Sequence, residues 1–149
     1  MSEDNDDVIE PVAIDIISRM GVIDDDRCVE LIGSTPVGRV GFLSDGVPLV
    51  LPVNHAWWEG AIVFRSLEGK KLAAAAENQQ VCFEVDHWNP EDRSGWSVVV
   101  RGTACEVTDW ADREQLENIG LVPWARDAWR TLWVRIEPSS ISGRMLTVP

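Results

Sequence analysis

From residue 37 onward, apolar and polar residues follow the short alternating runs that are typical of β strands. The runs are rich in β-branched and aromatic residues, and turn signals such as Ser44-Asp45-Gly46 separate them. Gly102 interrupts the longest run and predicts a bulge or a sharp coil there. The predicted strands cover residues 37–43, 48–54, 61–66, 81–86, 96–107, 131–137 and 145–148.

Three segments have helical rather than strand character. Asp24, Asp25 and Asp26 offer an N-cap and first-turn negative charge for a helix. The apolar face of this helix would contain Cys28, Leu31 and Ile32. Four consecutive alanines favour a second short helix, because alanine loses little side-chain entropy in a helix. Asp109 is the N-cap of a third predicted helix. The predicted helices cover residues 24–33, 69–77 and 110–119, with a helical continuation over 124–130.

The N-terminal segment differs from the rest of the chain. Residues 1–12 are acidic and polar, and residues 13–20 are predicted to form either a short helix or an extended arm. We therefore expect residues 1–20 to form an acidic, flexible tail and residues 21–149 to form a single domain. The predicted strands are short and closely spaced, with small helices between them. The expected fold class is therefore mainly β, as an antiparallel barrel or sandwich.

Composition favours one globular domain without nucleic-acid or membrane partners. The chain has 149 residues, of which 45% are hydrophobic and 26% charged, so it is long enough to bury a core. Its formal net charge of -12 disfavours binding to nucleic acids and to anionic lipid surfaces. It contains neither an apolar stretch of about 20 residues nor a signal-peptide pattern, so we expect a cytoplasmic location.

The familiar signatures of metal binding and catalysis are missing from the sequence. The three cysteines, Cys28, Cys82 and Cys105, form no CxxC pair and are expected to be reduced thiols. With only two histidines available as further ligands, no metal site is predicted. The sequence has no P-loop, no GxGxxG motif and no nucleophile elbow, and no catalytic side chain is predicted. An enzyme with this sequence would depend on a cofactor for its chemistry.

One cluster of cations interrupts the acidic chain. Arg65 and Ser66 end a predicted strand, and Lys70 and Lys71 open the predicted helix that follows. The free N–H groups of a helix start suit a phosphate, and an arginine can add a bidentate grip. The alternative is that these residues are solvated positions on the surface.

Eight tryptophans and no tyrosine form an unusual aromatic set. Four of them flank the second to fifth predicted strands, where they would either stack on a planar ligand or pack in the core or a dimer interface. His55 and His87 follow strand ends and would serve as structural hydrogen-bonding groups or as a base. The four flanking tryptophans are Trp57, Trp58, Trp88 and Trp96.

Five segments in a fixed order resemble the pyridoxamine 5′-phosphate oxidase-like, FMN-binding split-barrel family. The resemblance extends over about residues 26–108, and residues 136–144 are similar to the family's closing strand. The five segments are Gly38-Arg39-Val40-Gly41-Phe42, Gly46-Val47-Pro48 with Pro52-Val53-Asn54, Ile62-Val63-Phe64-Arg65-Ser66 with Gly69-Lys70-Lys71-Leu72, Val81-Cys82-Phe83-Glu84-Val85-Asp86, and Gly95-Trp96-Ser97-Val98-Val99-Val100-Arg101-Gly102-Thr103-Ala104.

This resemblance implies a six-stranded antiparallel split β-barrel that forms a homodimer and binds flavin in a cleft between the subunits. The family's phosphate-binding stretch corresponds to the cation cluster already noted, Arg65, Ser66, Lys70 and Lys71. The backbone beside the isoalloxazine ring corresponds to Val53, Asn54 and His55. The positions where a partner chain closes the cleft correspond to Trp88 and Trp96.

The chain also departs from the family's pattern. Pyridoxamine-phosphate oxidases carry an Arg-x-His motif near the C-terminus, whereas this chain has no histidine after His87. Oxidation of vitamin B6 is therefore not expected. Other relatives bind the deazaflavin F420, use haem or reduce nitroimidazoles. The low lysine content argues against F420, and haem is not expected, although His55 and His87 remain its only candidate ligands.

We therefore expect a homodimeric flavoprotein that binds FMN non-covalently and transfers two electrons, as hydride at the flavin N5, to or from a small organic molecule. FAD and F420 are alternative cofactors. Alternative functions are a flavin or F420 carrier without turnover, a nitroimidazole-reductase-like enzyme and an F420-dependent reductase. A further alternative is a dimeric scaffold that has lost its cofactor site.

Overall fold

The computed structural model describes residues 8–66, 79–125 and 132–147. The helix predicted over residues 69–77 and most of the continuation over 124–130 lie outside these ranges. Helices α1 and α2 cover Asp25–Ser34 and Trp110–Glu117. The strands are β1 (Ala13–Asp15), β2 (Met20–Ile23), β3 (Val37–Ser44), β4 (Val47–Trp58), β5 (Ala61–Ser66), β6 (Gln80–Asn89), β7 (Ser94–Glu106) and β8 (Leu132–Leu146).

Six of these strands form a closed antiparallel ring, which confirms the expected barrel and excludes the sandwich. The order around the ring is β8-β5-β4-β3-β6-β7, and pairing between β7 and β8 closes it. Alternate residues of each strand face inward, as the pleat requires. The inward residues form a buried core that contains Val40, Ile62, Phe64, Phe83 and Ile136.

Strand β8 is the element that closes the ring, and the sequence pattern predicted it as two separate strands. Its first residues pair with β5, its last residues pair with β2, and nearly its whole length pairs with β7. Pro138 and the two serines after it lack strand character, but β7 supplies a partner along this stretch. Tertiary pairing therefore joins the two predicted strands into one.

The predicted irregularity at Gly102 is confirmed. The register between β7 and β8 shifts between Arg101 and Gly102, which pair with Ser140 and Pro138 respectively. Ser139 is the extra residue, so the bulge itself lies on β8. The hydroxyl of Ser139 donates to the carbonyl oxygen of Arg101 at 3.0 Å, and this bond holds the bulge in place.

Part of the N-terminal segment that was expected to be a flexible tail, residues 1–20, joins the sheet. Ala13–Asp15 form β1, so the structure has the extended arm rather than the short helix. β1 pairs with β2, and β2 pairs with the end of β8, where β8 offers a free edge. Ile9 packs against the barrel core. Residues 1–7 lie outside the described residues.

Of the three aspartates that could cap α1, the structure selects Asp24, and the predicted N-cap at Asp109 is confirmed. The side chain of Asp24 accepts from the backbone N–H of Arg27 at 2.8 Å, and α1 buries Cys28, Leu31 and Ile32 as expected. Asp109 caps α2 in the same way. α2 packs on the outer face of the ring, where its Leu116 joins a second apolar cluster. That cluster contains Val63, Val107, Leu116 and Trp133.

Candidate functional site

Arg65 lies near the end of β5, on the outer face of the ring. It pairs with Trp133 of β8, and its guanidinium carbon lies 5.0 Å from the centroid of the Trp133 ring. Its Nη1 donates to Oε2 of Glu117, the last residue of α2, at 3.1 Å. The side chain is only 16% exposed. The packing of α2 on the barrel therefore determines where this guanidinium points.

Glu117 connects the arginine and the tryptophan. Its other carboxylate oxygen, Oε1, accepts from the indole Nε1–H of Trp133 at 2.9 Å. Arg65, Glu117 and Trp133 thus form a closed set of contacts on the outer face of the barrel. A guanidinium donates charge-assisted hydrogen bonds to oxyanions, and here the oxyanion is the carboxylate of Glu117.

Ser66 is half-buried at the last position of β5, opposite Leu132. Successive side chains of a strand point to opposite faces, so Ser66 and Arg65 project from opposite sides of β5. Lys70 and Lys71, the other members of the predicted cation cluster, lie outside the described residues. Of the two members of that cluster that the structure describes, Arg65 lies on the face that α2 covers.

The stretch of Val53, Asn54 and His55 lies inside β4 and not at a strand end, because pairing with β5 continues the strand to Trp58. Val53 and His55 are buried, whereas Asn54 faces outward. His55 of β4 pairs with Phe64 of β5, so the next residue of each strand places Asn54 beside Arg65.

The amide of Asn54 is held at both ends by backbone groups. Its Oδ1 accepts from the N–H of Trp124 at 2.9 Å, and its Nδ2 donates to the carbonyl oxygen of Pro36 at 3.3 Å. These bonds attach the segment after α2 and the segment after α1 to the same strand. Asn54 therefore positions the backbone on both sides of the face that carries Arg65.

His55 is a structural residue of the barrel interior. Its Nε2 lies 2.7 Å from the carbonyl oxygen of Ile32 in α1, and since a carbonyl can only accept, this nitrogen carries the proton. Burial lowers the pKa of the imidazole from its ordinary value of 6.5, so the ring is neutral. Of the two roles considered for this histidine, the structure supports the hydrogen-bonding one.

Trp88 and Trp96 belong to the hairpin of β6 and β7. Trp96 is half-buried and lines three cavities formed by the described residues, while Trp88 is 65% exposed. One of these cavities, of about 460 Å³, lies toward the N-terminal segment and is lined by Ile9, His87 and Met145 among others. Another cavity, of about 380 Å³, is lined by both tryptophans and Arg144.

The structure does not bring these tryptophans together with Arg65 in one chain. Trp96 pairs with Met145, whereas Arg65 pairs with Trp133, so twelve residues of β8 separate the two points. Twelve strand residues correspond to about 40 Å along the strand. On the other side of the ring, β4, β3 and β6 lie between them.

The remaining tryptophans that flank the strands have packing roles. Trp57 packs against the barrel core. Trp58 packs beside α2, and the guanidinium of Arg135 lies over its ring, with 5.6 Å between the guanidinium carbon and the ring centroid. The packing alternative considered for these two residues is the one that the structure supports.

Three residues of the site escaped prediction from the sequence: Glu117, Trp124 and Trp133. They follow Arg65 by 52 to 68 positions, and no local pattern relates them to it. Glu117 did carry one signal. A carboxylate at the C-terminal end of a predicted helix is opposed by the helix dipole, so its presence there indicates a nearby cation.

No cluster of metal-ligating side chains is found in the part of the chain that the structure describes. That part contains no group of three histidine, cysteine or acidic side chains that could hold a metal ion. The three cysteines are free thiols. Burial, with the nearby carboxylates of Asp25 and Asp24, raises the pKa of Cys28 to about 11.

Among the described residues, no helix has the length and apolar character needed to cross a membrane.

The ring of six antiparallel strands places this fold in the split-barrel class of β proteins. The sequence pattern of the pyridoxamine 5′-phosphate oxidase family matches residues 24–145, and the chain belongs to this family. The family that the five sequence segments indicated is therefore confirmed.

Several known proteins are similar to the chain. The FAD binding protein from Mycobacterium smegmatis is 36% identical, with a TM-score of 0.71 over 85% of this chain and 99% of that protein. Uncharacterized protein Rv0080 of Mycobacterium tuberculosis is 34% identical over 126 residues, which are 81% of this chain and 82% of that protein. An FAD-binding protein from Mesorhizobium loti, 23% identical, shares the fold with a TM-score of 0.70 over 86% of this chain and 99% of that protein.

Proposed function

We propose that this protein binds a flavin nucleotide with its phosphate at Arg65 and acts as an oxidoreductase on a small organic molecule. The observation that carries the proposal is the environment of Arg65. Its guanidinium packs over Trp133 and holds a carboxylate, in a member of this family whose 36% identical relative is an FAD binding protein. When bound, the flavin supplies two-electron chemistry by hydride transfer at its N5.

The residues of this chain bind and orient the cofactor in the proposed site. Arg65 binds the phosphate, and Trp133 holds the guanidinium in place beneath it. Asn54, fixed at both ends of its amide, keeps the backbone of β4 in position beside the flavin ring. Lys70 and Lys71 are proposed as further phosphate ligands, from the resemblance of this stretch to the family. The side chain of Ser66 projects from the other side of β5, so it is not part of the proposed phosphate site.

The phosphate that Arg65 is proposed to bind determines which flavin nucleotides can enter the site. FMN is the cofactor expected from the sequence, and two of the three relatives named above are FAD-binding proteins. The phosphate next to the ribityl chain is present in both nucleotides. We propose that Arg65 binds this shared phosphate, so that FMN and FAD both enter the site, with F420 as the alternative.

A homodimer is part of the proposal. The β3–β4 hairpin exposes four large apolar side chains, two on each of its faces, and exposed apolar surface of this kind is typical of an interaction surface. Trp88 and Trp96 are remote from Arg65 in one chain, so a second copy is needed to bring them to the flavin. The free thiols are consistent with the proposed cytoplasmic location. The four exposed side chains are Leu43, Val47, Leu49 and Val50.

A flavin carrier without turnover is the second candidate. The buried, neutral His55 uses its Nε2–H to bind Ile32, so this imidazole is not available to exchange a proton with a substrate. Steady oxidation of NAD(P)H in the presence of an acceptor would support the oxidoreductase. Tight flavin binding with no turnover on any acceptor would support the carrier.

The test begins with the absorbance spectrum of the purified protein, followed by titration with FMN and FAD. The eight tryptophans make quenching by a bound flavin easy to detect. Arg65→Gln should weaken FMN binding by about tenfold or more, because a charged hydrogen bond to phosphate is lost. Arg135→Gln is the matched control, since Arg135 also stacks on a tryptophan of the outer face. A parent protein that neither carries nor binds flavin would contradict the proposal.

A further inference from the structure

The carboxylate of Glu117 is the feature of the site that the proposed function leaves unexplained. It accepts from Arg65 at 3.1 Å and from Trp133 at 2.9 Å, so it occupies the same guanidinium that the flavin phosphate would need. The side chain of Glu117 is 53% exposed, whereas that of Arg65 is 16% exposed. Of the two partners, the carboxylate is therefore the one that is free to move into solvent.

The position of Glu117 on its helix is electrostatically unfavourable. It is the last residue of α2, where the backbone carbonyls carry partial negative charge, and the last turn contains no basic residue. A carboxylate there is opposed by the helix dipole, and its contacts with Arg65 and Trp133 offset that repulsion. Glu117 is thus held by the site and not by the helix.

We propose that Glu117 is an internal competitor for the phosphate at Arg65 and sets the affinity of the site for phosphorylated flavins. This inference rests on the proposed function. Without ligand, the carboxylate neutralises Arg65 and keeps the guanidinium over Trp133. When a phosphate binds, the carboxylate moves away into solvent, and the cost of displacing it lowers the affinity for the phosphate. Glu117 is a specificity-determining residue, and no covalent step is involved.

The test compares FMN with riboflavin, which has the same ring and ribityl chain but no phosphate. Glu117→Gln removes the charge and keeps an oxygen that can accept from Trp133. This variant should bind FMN on the order of tenfold more tightly than the parent, because a negative charge near the phosphate is removed, while riboflavin affinity stays unchanged. Glu114→Gln, one turn earlier on α2, is the matched control for the change in net charge and should leave both affinities unchanged.

Three outcomes would overturn the inference while leaving the proposed function intact. The first is an unchanged ratio of FMN affinity to riboflavin affinity in Glu117→Gln. The second is a loss of affinity for both flavins in that variant. The third is a gain in FMN affinity in Glu114→Gln that equals the gain in Glu117→Gln. Glu117→Asp, which keeps the charge, should retain the parent's ratio, whereas a purely structural role would be damaged by both substitutions at this position.

A second measurement separates the inference from the proposed function. Melting temperatures are recorded with inorganic phosphate and with chloride at equal ionic strength. Phosphate should stabilise Glu117→Gln more than the parent or Glu114→Gln. If the parent binds neither flavin, the proposed function fails, and this comparison still decides the role of Glu117. Equal stabilisation of all three proteins would overturn it.

Discussion

The imidazole of His55 lies edge-on to the ring of Phe83, with 4.8 Å between the ring centroids and an interplanar angle of 65°. Both rings belong to the inside of the barrel, and His55 also binds the carbonyl oxygen of Ile32 in α1. The histidine therefore connects three elements: β4, β6 and α1. A residue that sequence reasoning placed beside the cofactor has a side chain that stabilises the interior.

The buried state of His55 predicts a specific pH dependence of stability. Because burial lowers its pKa below the ordinary value of 6.5, the unfolded chain takes up a proton at this residue as the pH falls below 6.5, and the folded protein does not. The contribution of His55 to the free energy of unfolding is therefore complete above this pH and is lost below it. The slope is at most about 1.4 kcal/mol per pH unit.

Denaturant unfolding measures this contribution when it is carried out at several pH values between about 5 and 8, the range in which histidine changes its charge. His55→Phe should be less stable at pH 7 by about 1–3 kcal/mol, since the carbonyl of Ile32 loses its donor, and its stability should fall less steeply in acid. His87→Phe, at an exposed position, should keep the parent's slope. Parallel curves for the parent and His55→Phe would contradict the prediction.

The bulge between β7 and β8 predicts a severe effect at Gly102. A Cβ atom at this position would overlap the carbonyl oxygen of Glu137, which is backbone and cannot move aside easily. Gly102→Ala should therefore lower the free energy of unfolding by about 2 kcal/mol or more, as overpacking does elsewhere. Gly33→Ala in α1 is the control, because a Cβ there meets nothing within 4 Å. It should be neutral or stabilise by about 0.5–1 kcal/mol. Similar melting temperatures for the two variants would disprove the account of the bulge.

The N-cap of α1 predicts a smaller loss. Asp24→Ala removes the carboxylate that accepts from the N–H of Arg27, and it should cost about 1 kcal/mol of stability. Asp26→Ala also removes an acidic residue from the start of the helix but leaves the cap intact, so its cost should stay near 0.3 kcal/mol. Chemical denaturation of both variants at low ionic strength provides the comparison. An equal loss of stability in the two variants would show that the negative charge, and not the capping hydrogen bond, stabilises the start of α1.

The proposed dimer predicts that a charge on the β3–β4 hairpin prevents self-association. Val50 is 65% exposed on β4, and Val50→Arg should shift the protein from dimer to monomer in sedimentation velocity experiments, because the arginine would be buried without a partner. Flavin affinity should fall at the same time if Trp88 and Trp96 act across the interface. Val122→Arg, at a site with 71% exposure outside the hairpin, should remain dimeric. A parent protein that sediments as a monomer at every concentration would reject the dimer.

Much of the local structure could be predicted from the sequence. The cap of α1 within residues 24–26, the cap at Asp109, the turn after Ser44 and the irregularity at Gly102 each depend on a few neighbouring residues, and all four appear in the structure. The position of Arg65 at the end of a strand was predictable for the same reason. The family, and with it the six-stranded barrel, followed from the order of five such local segments.

The continuity of β8 and the surroundings of Arg65 were decided only by the tertiary structure. Residues 138–140 lack a strand pattern and become strand because β7 pairs with them. The carboxylate that Arg65 binds comes from Glu117, 52 positions later, after α2 has packed over Val63 and Trp133. Short-range propensities determine where elements begin and end. Which side chains meet depends on how those elements pack, and that is a property of the whole chain.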